Sequence, residues 1–382
     1  MRRGTPRDRV IWLAAPAILA SIYHVIALVA ALRFKNVRLN QEALLPPVSI
    51  LKPVYGRDPQ FYEAIRSHAL LDYPEFEILF GLNDPGDAAR EDIVRLAAEF
   101  PERAIRMVPI DRVLPNGKVA VLAELARQAR YPLLVVNDSD IVVASDYLRT
   151  VIEPLQVTEN GLVTCLYRGR GVSRPARWEA LGIATDFAPS VLVARFLGQS
   201  EFALGSTMAL RAADLERIGG FEAVGDYLAD DYQLGRGIQE LGYRIVLAPT
   251  VVETRLSDET WRQVWRHQVR WARTIRVSRT AGYIGYVITN ASVWAGLAVV
   301  SGWWPVALVC LAVRIVAGVA TGALVLGDLD SARQWFLIPF RDVWGFAVWA
   351  AGLGGSTVEW RGRKLRLDRA GRITSGQNTL GG

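Results

Sequence analysis

Residues 133–144 read LLVVNDSDIVVA, two apolar runs around a polar island of Asn137, Asp138, Ser139 and Asp140. Burying an unpaired carboxylate is costly, so Asp138 and Asp140 must be paired, hydrogen-bonded, exposed at a strand end or bound to a cation. On an extended chain they stand two residues apart and point to the same side. Two same-side carboxylates suit a hard divalent ion such as Mg²⁺, which takes oxygen ligands and shares them with substrate phosphates. Capping the next helix or pairing with arginines would use the same residues without a metal.

The elements that must position these acids alternate in type. VSILKPV, FEILFGLN, AIRMVPI and LLVVND are apolar runs, separated by helical patterns starting near Gln60, Ala88 and Lys118. Strands alternating with helices imply parallel βαβ units, and nearly continuous apolar strands imply a sheet covered on both faces. Ligands of such sheets bind beyond the carboxyl ends of the strands, which puts Lys52, Asp84 and the Asn137–Asp140 island along one rim. No GxGxxG or GxxxxGK[ST] follows any strand, which argues against dinucleotide and P-loop binding.

An ordered set of stretches then stands out: SILKPVYGRDP (49–59), LDYPEFEILFGLNDP (71–85), NGK (116–118), NDSD (137–140), FALGSTMALR (202–211), GGFEAVGDYLADDYQLG (219–235) and HQVRWARTIR (267–276). In these the chain resembles family 2 and family 21 type nucleotide-sugar glycosyltransferases, specifically ceramide glucosyltransferases and, more closely, bacterial hopanoid-biosynthesis glycosyltransferases. The resemblance implies an α/β, GT-A type Rossmann-like nucleotide-sugar-binding domain flanked by transmembrane helices. It implies Asp84 as the binder of the uracil of a UDP-sugar, Lys52 and Lys118 beside the base or phosphates, and Asp138 and Asp140 as the site of the diphosphate and of Mg²⁺ or Mn²⁺. Asp231 matches the catalytic base of these inverting enzymes, with its neighbour Asp230 as a rival. Gly205 and Ser206 are second-tier candidates near the acceptor. Arg270 and Trp271 match the end of the QxxRW motif, while His267 stands where Gln or Arg is usual. DFAPS (186–190) departs from the histidine that animal ceramide enzymes carry there.

The function implied is inverting, non-processive transfer of one sugar, glucose or N-acetylglucosamine, from a UDP-sugar to a hydroxyl of a hopanoid or ceramide-like lipid. A processive polysaccharide synthase shares these motifs but needs more transmembrane helices. A non-catalytic membrane binding protein would be expected to lack one of the acids, and none is missing.

Composition agrees with a membrane setting. The 382 residues are 51% hydrophobic, and the mean hydropathy is +0.18. Val10–Leu32 carries no formal charge and is long enough to span a bilayer, with His24 its one oddity; Arg2 and Arg3 before it would also suit a cleaved signal peptide, but the run exceeds a signal core and Arg33 and Lys35 follow at once, so a retained anchor is expected. Val287–Gly327 reads as two crossings with a turn near Ser301–Pro305, and Trp335–Gly355 carries Arg341 and Asp342, so it either pairs them against other helices or lies in the interface. With only Cys165 and Cys310, no disulfide framework or thiolate metal site is expected.

The net charge of +6 is modest, yet seven arginines fall between Arg255 and Arg279. On a helix, Trp261, Val264, Trp265, Trp271, Ala272 and Ile275 form one stripe and Arg262, Arg266, Arg270, Arg273 and Arg276 nearly the opposite one. This predicts an interfacial helix meeting lipid or UDP phosphates, or a core-packed helix with a solvated basic face. The partners expected are lipid, bilayer and UDP-sugar, with no nucleic acid and no obligate protein partner. The organisation expected is an anchor and linker over 1–45, a catalytic domain over 46–255, an interfacial helix with HxxRW over 256–282, membrane segments over 283–356 and a basic cytoplasmic tail over 357–382. The setting expected is a bacterial inner membrane with the catalytic domain facing the cytoplasm. The third membrane segment then dips in and returns, so that the tail stays inside.

Overall fold

A computed structural model describes residues 6–34, 44–199, 201–360 and 363–378, with side chains left out at 6–11 and 375–378. The charges expected to flank the first span at Arg2, Arg3 and Lys35 lie outside the described residues, as does the linker to residue 43. The chain forms two compact units: residues 36–171, 200–258 and 360–382 make one, and residues 1–35, 172–199 and 259–359 the other.

The first unit is built on an eight-stranded sheet of β1 (Val48–Val54), β2 (Phe76–Leu82), β3 (Ala104–Pro109), β4 (Leu133–Val136), β5 (Ile141–Val142), β6 (Asn160–Arg170), β7 (Met208–Arg211) and β8 (Arg244–Arg255), in the order β3-β2-β1-β4-β7-β6-β8-β5. The expected parallel half is present as β3-β2-β1-β4. β7 then runs antiparallel to both β4 and β6, so the sheet is mixed. Side chains alternate between two apolar layers: Val48, Ile50, Ile78 and Phe80 face one, Leu51, Leu79, Leu134 and Val136 the other. Helices cover both, which explains why these strands read as continuous apolar runs. Strand order reverses between β1 and β4, the switch point where doubly wound sheets open a ligand crevice.

The segment expected as a tail contributes strand to this unit. Arg363–Leu367 pairs antiparallel with Ile373–Asn378, the Ile373 N–H donates to the Asp226 carbonyl at 2.7 Å, and the Arg372 guanidinium donates to the Tyr227 hydroxyl at 3.0 Å. Its alternating Lys364, Leu365, Arg366 and Leu367 put the two leucines inward, a period-2 pattern hidden among the basic residues.

The second unit is helical. Three helices are long and apolar enough to cross a membrane, at Trp12–Arg33, Trp304–Val325 and Trp335–Leu353, and a bent pair, Thr280–Thr289 and Ala291–Val300, turns by 56° at its break. Small residues face inward, with Ala17 and Ala20 against Ala291, Ala295, Ala298, Ala307 and Cys310, while Leu19, Ile22, Val300, Leu308 and Val316 face outward. Small residues between helices and large apolar ones outside are the pattern of bilayer packing, where close backbone approach replaces the hydrophobic drive. Of the two readings of Arg341 and Asp342, the structure takes the pairing one. Arg314, 2% exposed, donates to Asp342 at 2.9 Å, to Asp186 at 2.7 Å and to the Thr185 carbonyl at 2.8 Å, and Arg341 donates to Asp186 at 2.8 Å.

The arginine-rich helix spans Trp261–Ser278 and starts at a capping box between Thr260 and Gln263. Part of its apolar stripe is covered by protein: Val264 is fully buried, Ala272 packs with Tyr283 and Val348, and Trp265 meets Trp344 edge to face at 5.1 Å, while Trp261 and Ile275 stay exposed. Its basic stripe closes a helix end. Arg273 and Arg276 donate to the carbonyls of Leu353 and Gly354, at the C-terminal end of the helix Ile338–Leu353, and of Gly355 and Thr357 just beyond it.

Candidate active site

The Asn137–Asp140 island is a turn rather than an extended segment: Ser139 and Asp140 are turn residues, and the Ile141 N–H donates to the Asp138 carbonyl at 3.3 Å. The two carboxylates therefore approach through the turn, not through strand alternation. Asn137 is buried beneath them and is no ligand. Its amide donates to the Ser206 carbonyl at 2.8 Å and to the Tyr147 hydroxyl at 2.9 Å, which ties the turn to the FALGSTMALR stretch. The Ser206 hydroxyl is buried and has no hydrogen-bond partner among the described residues.

Lys52 is fully buried on β1, not presented at the rim. Its ammonium donates to the Asp138 carbonyl at 3.0 Å and lies 3.3 Å from His68 Nε2. Since His68 Nδ1 faces the Ala64 carbonyl at 3.0 Å, that nitrogen carries the proton and Nε2 accepts from Lys52. Burial lowers Lys52 to about 7, against the pull of Asp140 and Asp138.

Lys118 stands in the first turn of the helix Gly117–Gln128, which Asn116 caps by accepting from the Lys118 and Val119 N–H groups. NGK is thus a helix start that aims a lysine. Its ammonium lies 2.6 Å from Asp138 Oδ1 and 4.0 Å from Asp230 Oδ2. Burial alone would lower Lys118, but Asp138 and Asp230 hold it above its usual range.

Asp230 and Asp231 open the helix Asp230–Glu240, where the helix dipole favours anions. Asp230 is buried, and Asn116 donates to it at 3.5 Å. Asp231 is partly exposed and accepts from the Gly205 N–H at 2.9 Å and from the Tyr232 N–H at 2.7 Å. A Cβ on Gly205 would stand 3.2 Å from Asp231 Oδ2 and 3.6 Å from the Lys118 ammonium, so the missing side chain lets the backbone approach the carboxylate. Burial, and after it Asp230, pushes Asp231 up to about 6. Burial, and after it Asp138, does the same to Asp140, which accepts from the Thr254 hydroxyl.

Four carboxylates (138, 140, 230 and 231) thus surround two ammonium groups (52 and 118), a formal excess of two negative charges. An all-oxygen donor set with that excess fits a hard divalent cation. Asp84 lies apart on the exposed loop after β2, where its carboxylate accepts from the Gly86 N–H at 2.8 Å. The structure thus gathers Lys52, Lys118, Asp138, Asp140, Asp230, Asp231, Gly205 and Ser206, and leaves Asp84 as a turn residue on the neighbouring strand end.

The helical unit carries His267, Arg270 and Trp271. His267 Nδ1 is 2.8 Å from the buried Glu179 carboxylate, and the His267 ring meets Trp271 at 4.5 Å. The histidine at the motif's first position is therefore anchored from below, not a bare surface residue. Glu179, Glu259 and His267 bring their ligand atoms within 4.8 Å of one another. His68 and Tyr147, which help to hold the acidic turn, carry no motif signal in the sequence, whereas Asn137 was visible there as the first residue of NDSD.

The mixed sheet with acids at its switch point is the GT-A fold, and a solved structure shares it. The mannosyltransferase of Pyrobaculum calidifontis in complex with GDP-Man and Mn²⁺ matches with a TM-score of 0.53 at 22% identity, over 89% of this chain and 99% of that one. The family model of Glycosyl transferase family 21 matches residues 10–373, and the chain belongs to that family. Similar proteins include Ceramide glucosyltransferase 1 of Caenorhabditis elegans, 22% identical over 94% of this chain and 79% of that protein. Ceramide glucosyltransferase 3 of the same organism is 28% identical over 59% of this chain and 50% of that protein. The Probable glycosyltransferase YdaM of Bacillus subtilis is 25% identical over 60% and 55%; the chain spans about half the length of these last two.

Proposed function

We propose that this protein transfers one sugar, with inversion, from a UDP-sugar to a hydroxyl of a membrane lipid. The observation that carries this is the cluster of Asp138, Asp140, Asp230 and Asp231 around Lys118, in a chain that also holds helices of membrane-span length. Asp231 is the base, because it is the accessible member of its pair and the Gly205 N–H fixes its orientation. Asp230 and Lys118 position Asp138, and Lys52 holds the turn from beneath. Asp138 and Asp140 would hold a divalent cation, which supplies charge neutralisation for a departing diphosphate. Asp84 contacts the uracil, and Arg270 and Trp271 act at the diphosphate and acceptor entrance. The acceptor is a hopanoid or ceramide-like lipid, and the sugar glucose or N-acetylglucosamine. Mass spectrometry of lipids from cells with and without the chain, fed labelled UDP-sugars, is expected to show one lipid heavier by a single sugar. A ladder of added sugars would point to a processive synthase, and no gain would sink the reading.

Contacts within each unit support an orientation. Ala17 and Ala20 of the first span pack beside the hairpin of Ala291–Val300 and Trp304–Ala320, and Ala27 packs against Ala317. The turn at Ser301–Trp303 therefore lies at the amino-terminal end of the first span. With the sheet unit in the cytoplasm, that end and the turn are external. Ten residues rise only about 15 Å, so Ala291–Val300 needs the bent segment before it to complete a crossing. The 363–378 strands belong to the sheet unit, so two crossings between residues 258 and 360 suffice; Trp335–Leu353 is one unbroken helix, which cannot dip in and return, so it lies along the cytoplasmic interface with its charges paired. A reporter at Ser301 is expected to read external and one after Gly382 cytoplasmic. An external Gly382 reporter would make the third helix a full span.

A further inference from the structure

The helix that aims Lys118 and the segment that leads into Asp230 and Asp231 meet at one side chain, Asn116. It is 1% exposed. A carboxamide has an oxygen that accepts twice and a nitrogen that donates twice, and here all four places are used. Oδ1 accepts from the Lys118 N–H at 3.0 Å and from the Val119 N–H at 3.3 Å. Nδ2 donates to the Tyr227 carbonyl at 2.8 Å and to Asp230 Oδ1 at 3.5 Å. The reverse orientation would set the NH₂ against two N–H groups and the oxygen against a carbonyl and a carboxylate, so the network fixes which way the amide points.

A plain helix cap needs only the oxygen. The nitrogen reaches across 111 positions to the segment Gly225–Ala229. That segment enters the helix Asp230–Glu240 at Ala229, which gives it no side-chain cap. Three of its successive carbonyls accept from outside it: Gly225 from the Asn116 N–H at 2.9 Å, Asp226 from the Ile373 N–H at 2.7 Å and Tyr227 from the Asn116 amide. Two of the three rest on residue 116. The segment also lies tight against the same stretch of chain, since a Cβ on Gly225 would stand 2.9 Å from Leu114 Cδ1.

We propose that Asn116 is a positioning residue for the transfer: its oxygen sets the helix start that carries Lys118, and its nitrogen holds the Gly225–Asp230 segment, and with it Asp231, in register with that lysine. The proposal rests on the transferase reading for what the acids do, and adds the residue that fixes them relative to the sugar-nucleotide side of the site. The two halves of one amide thus serve two steps, the oxygen binding and the nitrogen turnover. A misplacement of about 1 Å at the reacting groups can cost on the order of 10² in rate, so a loosened segment is read in turnover first.

The test compares Asn116→Ser, Asn116→Thr and Asn116→Ala in the full-length protein in phosphatidylcholine nanodiscs. Serine and threonine still cap a helix and alanine does not, while none of the three has the amide nitrogen that meets Tyr227 and Asp230. The serine and threonine variants are expected to bind UDP within about threefold of the wild type by calorimetry, because the cap is kept. Their kcat should fall about tenfold or more with little change in KM for the UDP-sugar, because the Tyr227 carbonyl loses its partner. Asn116→Ala should weaken UDP binding as well. Deuterium exchange reads the same link without activity: in the serine and threonine variants the peptide 225–232 should exchange about tenfold faster, the loss of a buried hydrogen bond, with 117–128 unchanged. The threonine variant carries the test should the serine variant not fold. Wild-type turnover in either capping variant, equal losses of UDP affinity and turnover, or unchanged exchange at 225–232 would each overturn the proposal and leave Asn116 a helix cap. No transfer by the wild type from any UDP-sugar removes the transferase reading alone, and the exchange measurement then decides this one. Normal transfer with unchanged exchange removes this one alone.

Discussion

Asp231→Asn is expected to keep UDP-sugar binding and to lose turnover by about 10²- to 10⁴-fold, the usual worth of a general base. The amide keeps the shape of the side chain but cannot take the acceptor's proton. Both carboxylate oxygens accept backbone N–H bonds, one from Gly205 and one from Tyr232, and an asparagine can satisfy only one. UDP affinity measured by calorimetry therefore belongs beside the kinetics, to separate lost chemistry from a disturbed helix start. Asp231 is pushed up to about 6 by burial and by Asp230, and a base works only when ionised. For the wild type, kcat/KM should fall with acid on a limb near pH 6 and flatten above it, and the residual activity of the asparagine variant should lack that limb. Near-normal turnover in Asp231→Asn, with a large loss in Asp230→Asn, would move the role to Asp230.

Asp138→Ala is expected to abolish transfer, and chelation of the wild type to weaken UDP binding until Mg²⁺ or Mn²⁺ is restored. Asp138 does two jobs. Its Oδ1 holds the Lys118 ammonium at 2.6 Å, leaving Asp230 at 4.0 Å as that lysine's other measured ion-pair partner among the described residues. It is also one of two carboxylates in the acidic turn, beside Asp140, whose raised pKa reflects burial and the like charge next to it. A divalent cation would relieve that repulsion. Full activity in excess chelator would remove the metal from the assignment, and the loss in Asp138→Ala would then belong to the Lys118 pair.

The residues proposed to do the chemistry were legible because each sits in a short local pattern. NDSD follows an apolar strand, NGK starts a helix, and the ADDY acids fall in a helix's first turn. Lys52 shows where this stops. Its position at a strand end suggested an exposed rim, yet the side chain turns inward to the Asp138 carbonyl and His68, because residues 68 and 138 are brought to it only by the packed sheet. The basic stripe of Trp261–Ser278 was legible in its spacing, and only the packed unit shows that two of its arginines, Arg273 and Arg276, meet carbonyls about 80 residues further on.

By itself the sequence determined element types, the apolar spans and the acids that cluster, because period, hydropathy and capping are local properties that neighbours in the chain decide. Only the tertiary structure decided partners. Asn137 is joined to Ser206 across 69 positions, and Arg314 to Asp186 across 128. Such pairings form because a buried charge or amide must be satisfied by whatever group the fold brings within hydrogen-bond reach, and nothing in a linear pattern names that group.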